Sequence, residues 1–174
     1  METLTKTTWA IDPTHTEMEF SVKHMMISTV KGHFEKFQGT IESENEDFKD
    51  AEIEVTIDVN SIHTKNTDRD NHLKSNDFFN AEKFPTITFK STSFDGSTLK
   101  GNLTIRDITK EITLDADYNG TAVDPYGQTK AGFELRGTIN RKEFGLNWGA
   151  VTEAGNIVVS DKVKLIIDAQ FVRK

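Results

Sequence analysis

The sequence predicts an all-β fold, a closed antiparallel barrel with one short helical crossover. Three observations predict it. Thr, Ile, Val and Phe supply 58 of the 174 residues, whereas Leu and Ala, the strong apolar helix formers, supply 17. β-branched and aromatic side chains fit a pleated, half-buried surface. Apolar residues recur with period two in run after run, which buries one face of a strand and wets the other. Turn-forming residues fall between the runs.

The elements follow in order. In residues 16–24, Met18, Phe20 and Val22 share one parity and His24 follows them on it. In the next run Val30 and Phe34 are even but Phe37 and Ile41 are odd. The flip near Glu35-Lys36 predicts a β-bulge or sharp bend that curves a long strand around a barrel, two strands with a short turn being the alternative. From 51 to 59, Ala51, Ile53, Val55, Ile57 and Val59 alternate without fault against Glu52, Glu54, Thr56 and Asp58. Residues 66–83 do not alternate. Asn66 or Thr67 caps a first helical turn, with Asp68 and Asp70 near its positive end. Ser75 caps a second short helix through Phe78, Phe79 and Ala81, so the helical segment is placed at 67–82. Arg69, His72 and Leu73 share a face of it.

Pro85 stands at the mouth of the next strand, where a missing N–H is tolerated. Asp95-Gly96 reads as a tight hairpin turn. Leu99, Leu103 and Ile105 alternate, then Ile112, Leu114, Ala116 and Tyr118. Asn119-Gly120 is expected to open a longer connection containing Asp124-Pro125-Tyr126-Gly127. Ala131, Phe133, Leu135 and Ile139 form another strand, Ala154-Gly155-Asn156 a turn, and Val163, Leu165, Ile167, Ala169 and Phe171 the last strand. Eight or more strands favour closure, which removes exposed edges. Such a barrel is either filled by side chains or holds one ligand. Periodicity does not choose between them.

Composition excludes several functions. The chain has no cysteine, so disulfides, zinc-thiolate sites and thiol catalysis are out. The net charge of −7 disfavours a nucleic-acid partner and favours solubility. The longest apolar runs are three residues, too short to span a membrane as a helix. The opening METLTKTTWAIDPTH has no apolar h-region, so the expected location is cytoplasmic. Without repeats or linkers, one domain over 1–174 is expected.

No catalytic motif stands out. The five histidines (15, 24, 33, 63 and 72) show no zinc-protease spacing, and a pair from His63 and His72 is a weak metal candidate. There is no nucleophile elbow, P-loop or dinucleotide fingerprint. Asp68-Arg69-Asp70 reads as an ion-paired helix start. His15 reads as a turn residue. His24 is either a satisfied core residue or the partner of a ligand's polar end. Phe34, Phe37, Phe78, Phe79, Phe84, Phe89 and Phe94 crowd one third of the chain, as ordinary core or as the wall of an apolar tunnel.

Several stretches together resemble the YceI-like family of polyisoprenoid-binding, lipocalin-like proteins. They are WAIDPTHTEMEFSVKH (9–24), GHFEKFQGTI (32–41), IDVNSIHTKNTDRDNHLKSNDFFNAEKFPTITFKS (57–91), GNLTIRDITK (101–110) and RKEFGL (141–146). The resemblance implies an extended eight-stranded lipocalin-like barrel with an elongated apolar cavity. It implies a ligand that is a polyprenyl compound, a quinone or a fatty amide, and a flap formed by 69–73 and 77–79. On this reading the candidate wall is Phe20, Val22, Phe34, Phe37, Phe78, Phe79, Phe84, Ile87, Phe89, Leu103, Ile105, Phe133, Leu135, Phe144 and Trp148. The candidate polar end or flap is His24, Arg69, Asp70 and His72. The expected activity is binding, carriage or sequestration of that lipid without catalysis, metal or cofactor. An enzyme using His24, Asp70 and Arg69, and a packed stress-response barrel without ligand, are the alternatives. A homodimer is left open. Few basic residues fall on inward parities, so a neutral head, or a charged one left at the mouth, fits better than a buried diphosphate.

Overall fold

The strand-rich composition folds as the alternation predicts. The computed structural model describes residues 6–45, 47–149 and 159–174. In chain order the elements are β1 (Thr7–Ile11), β2 (Glu17–His24), β3 (Ser28–Phe34), β4 (Phe37–Ser43), β5 (Glu52–Asp58), β6 (Ile62–His63), α1 (Thr67–Lys74), β7 (Thr86–Phe94), β8 (Thr98–Ile105), β9 (Ile108–Val123), β10 (Thr129–Asn140) and β11 (Lys162–Arg173). The sheet runs β1-β4-β5-β7-β8-β9-β10-β11 and closes where β11 pairs with β1, every pairing antiparallel. This is an eight-stranded barrel. β2 and β3 prolong β1 and β4 upward, paired Met18 with Phe34 through His24 with Ser28.

The parity flip at Glu35-Lys36 is the break between β3 and β4. A second flip lies beside it. Trp9 and Ile11 of β1 are buried on odd positions and Met18 of β2 on an even one, across a 3-10 turn at Pro13–His15. β11 spans both halves of this kinked strand. Asp12 N–H donates to Gln170 O at 2.8 Å, and Gln170 N–H donates to Thr16 Oγ1 at 3.1 Å. The two kinks bend neighbouring strands together, as curvature around a barrel requires.

The ends differ. At the lower end, the β4–β5 loop drives Phe48 inward, 2% exposed. Its ring meets Trp9 at 5.3 Å, Phe133 at 5.2 Å and Tyr118 at 5.4 Å between centroids, an aromatic floor. Asp50 ties that loop by accepting from Ser43 Oγ and Glu44 N–H, both at 2.7 Å. These bonds, with burial opposing them, lower its carboxyl to about 2. At the upper end, α1 and residues 141–148 cover the barrel. Arg141, 3% exposed, holds that cover by donating to Leu146 O and Trp148 O at 2.6 Å and to Ser160 O at 2.9 Å. Burial pushes its pKa down, and Asp161 opposes that.

Two local expectations need correction. Asn119-Gly120 does not open a connection. β9 runs through it, because Gly120 at φ 115° and the register step from Gly132 paired with Gly120 to Phe133 paired with Tyr118 make a bulge at Asn119. The turn proper is later, where Asp124 Oδ1 accepts from Tyr126 and Gln128 N–H, each at 2.9 Å. Residues 75–83 form no second helix. Ser75 is the C-cap, and turns occupy 76–79 and 81–83. The turn expected at Ala154-Gly155-Asn156 lies outside the described residues.

Candidate functional site

Between floor and cover the barrel holds a cavity of about 390 Å³. Its wall is built by the inward parity of the strands. Ala51, Ile53, Val55 and Ile57 of one run, and Val163, Leu165, Ile167, Ala169 and Phe171 of another, all lie on it. One glycine serves the wall by being bare. A Cβ on Gly101 would stand 2.3 Å from Cζ of Phe89.

The structure brings twelve of the expected apolar residues to this wall: Phe20, Val22, Phe34, Phe78, Phe79, Ile87, Phe89, Leu103, Ile105, Phe133, Leu135 and Trp148. His24, Arg69 and His72 also reach it. Four expected residues do not. Phe37 is half-buried against the core beside the β3–β4 break, short of the wall. Phe84 lies under two cations, Lys83 Nζ at 5.6 Å and the Arg106 guanidinium at 5.7 Å from its ring centre. Phe144, 1% exposed, sits in the 3-10 turn Arg141–Phe144 and is packed into the core. Asp70 turns away from the cavity and accepts hydrogen bonds from Thr64 N–H, at 2.9 Å, and Thr64 Oγ1.

Sequence reasoning missed the floor. Phe48 stands in the acidic loop SENEDFKD, with no alternation to announce it. Met18, Ile53, Leu114 and Leu165 were legible as inward residues, but parity does not separate packed core from cavity wall, and Phe94 comes inward only through the register step between Ser91 and Ser93.

Polar atoms gather at the upper end. Asn66 caps α1 by accepting from Arg69 N–H at 3.0 Å. The Arg69 side chain donates to Thr64 Oγ1 at 2.8 Å and to Thr64 O. His72 Nε2 lies 2.8 Å from Asp77 Oδ2, and its ring meets Phe78 at 5.1 Å and Trp148 at 4.9 Å, edge to face. This aromatic lid joins the helix to the 141–148 segment. His24 is exposed at the rim, where its backbone bridges to Val159. Among the described residues no three His, Asp or Glu side chains converge as a metal site would need. Nor is any helix there long and apolar enough to cross a membrane. Chemically, the arrangement suits an apolar chain inside with a polar group at the upper rim.

Such an apolar cavity inside a closed eight-stranded antiparallel barrel with one short helix defines a lipocalin-like barrel. The YceI-like domain model matches residues 9–171, and the chain belongs to the YceI-like family. It is 40% identical over 166 residues to a UPF0312 protein of Staphylococcus aureus (strain USA300), covering 95% of this chain and 97% of that protein. A Campylobacter jejuni YCEI protein superposes with TM-score 0.72 at 34% identity, over 87% of this chain and 90% of that one. A polyisoprenoid binding domain from Saccharophagus degradans superposes with TM-score 0.71 over 95% of this chain and 98% of that one. At 14% identity that likeness is one of fold.

Proposed function

We propose that the protein binds, carries or sequesters a long-chain amphiphile, a polyprenyl compound, quinone or fatty amide, in the barrel cavity and performs no chemistry on it. The apolar void of about 390 Å³ carries this reading, since a packed structural barrel has no such space. Each buried CH₂ gives about 0.8 kcal/mol, so an eight-unit isoprenoid of about forty carbons gains roughly 30 kcal/mol, above the ceiling of observed affinities, and ordering and desolvation offset the rest.

The cations of the wall support a neutral head, or a charged one left at the mouth. Arg141 is spent on backbone carbonyls, Arg69 is turned onto Thr64, and Lys23 is exposed at the rim. A buried diphosphate would need several free cations. The catalytic alternative loses support because Asp70 and Arg69 are both tied to Thr64, with Asp70 off the wall, whereas His24 is exposed at the rim.

Mass spectrometry of an organic extract tests the proposal, on protein purified from its native host to avoid a surrogate lipid. A stoichiometric lipid is expected. Ala169→Phe, which puts a ring into the void, should lower its recovery severalfold while the protein stays folded. An empty extract from native-host protein overturns the proposal.

A further inference from the structure

The hairpin joining β2 to β3 ends in Met25, Met26 and Ile27, which are 36%, 61% and 80% exposed. Ile27 N–H donates to His24 O at 3.2 Å to close the turn. Both central residues have positive φ, 52° at Met25 and 60° at Met26. Such a turn favours Asn and Gly. Here it holds large apolar side chains in water. The tip stands at the rim of the cavity, because Val22, Lys23, His24 and Val30 of the same hairpin belong to the wall.

The charge around the tip is mainly positive, and the nearby Asp161 faces Lys142 at 3.3 Å. Residues 20–34 carry Lys23, Lys31, His24 and His33, with His33 facing Glu19 at 3.3 Å, in a chain of net charge −7. On the adjoining β11, Lys162 and Lys164 are exposed, and Lys164 pairs with Ser21. At the lower end, by contrast, the exposed Val123 and Tyr126 flank Asp124.

We propose that this tip docks on an anionic lipid bilayer. Met25, Met26 and Ile27 enter the boundary between headgroups and acyl chains. Lys23, Lys31, Lys162 and Lys164 meet the phosphates. The rim of the cavity then opens against lipid, and a tail passes between bilayer and barrel without crossing water. Apolar side chains ringed by cations bind such interfaces. A second copy is a poor occupant, since a two-fold contact would bring like charges together. The idea rests on the lipid-binding reading above.

Co-sedimentation of the full chain with vesicles tests it, using mixed phosphatidylglycerol and phosphatidylcholine against phosphatidylcholine alone. Binding is expected to the anionic vesicles and to weaken about tenfold in high salt. The double variant M26D/I27D should weaken it about tenfold or more with an unchanged Tm, as both positions are exposed. K23E/K31E should do the same. The Ala169→Phe variant, with its cavity filled, should bind vesicles like the wild type. No binding by the wild type overturns the proposal. So does equal binding by M26D/I27D, or tip variants that only split a dimer. Tip-dependent binding with an empty extract supports docking and sinks the cavity reading alone.

Discussion

Asp12 occupies the kink between β1 and β2, where three donors converge on one carboxylate. Oδ2 accepts from Lys130 Nζ and His15 Nδ1, each at 2.9 Å, and Oδ1 from Thr14 N–H at 3.1 Å. Burial works to raise its pKa, but the bonds from Lys130, His15 and Thr14 outweigh it and hold the group well below the carboxylate range. The contact with Asp12 likewise raises Lys130. A carboxylate depressed on folding stabilises the protein fully above its unfolded pKa, about 3.9, and loses that contribution as pH falls through the folded value. Asp12→Asn should therefore lower Tm by a few degrees at pH 7, and the gap to the wild type should shrink below about pH 4. Thermal melts of both proteins from pH 7 to pH 3 check this, and a gap that does not change with pH contradicts it. The partner of this pair was not legible. His15 could be read as a turn residue from its neighbours, but Lys130 lies 118 residues from Asp12, and no local pattern joins them.

At the scale of elements, α1 is the piece least able to stand alone. Eight residues are too few for a stable isolated helix, and TDRDNHLK offers one apolar side chain, Leu73. What holds it is its cap, the bond that Arg69 donates to Thr64 Oγ1 and the bond that Asp70 accepts from Thr64 N–H. Asn66→Ala should cost about 1 kcal/mol, and Asn66→Gly only a few tenths. Hydrogen exchange should show faster opening of residues 67–74 in the alanine variant, with the β9–β10 ladder unchanged. Uniform acceleration across the barrel would contradict this placement of the cap. The cap was readable because Asn before an acidic first turn is a local signal. So were the alternating strands and the break at Glu35-Lys36. The bulge at Asn119-Gly120 was misread because Asn-Gly marks a turn and a bulge equally, and only the register to β10 distinguishes them. Phe144 was placed on the wall by the resemblance of its RKEFGL stretch, and it packs into the core instead. A short 3-10 turn has no period from which to read its facing.

For the whole molecule, closure of the β1–β11 seam creates a shell whose interior its own side chains do not fill. A wall left without packing partners forfeits dispersion contacts that a ligand restores. Ligand binding to the folded state alone stabilises by RT ln(1 + [L]/Kd), about 2.7 kcal/mol at a hundredfold excess over Kd. For a domain of this size about 1 kcal/mol moves Tm by roughly 2–4 °C. Removing the bound lipid should therefore lower Tm by about 5–10 °C, and adding back the extracted lipid should restore it. The Ala169→Phe protein, carrying its own filling, should lose much less on the same treatment. Calorimetry of native, extracted and reloaded samples measures all three. An extracted protein that melts where the loaded one does would show that the lipid lies outside the shell, and the cavity would then not be the carrier.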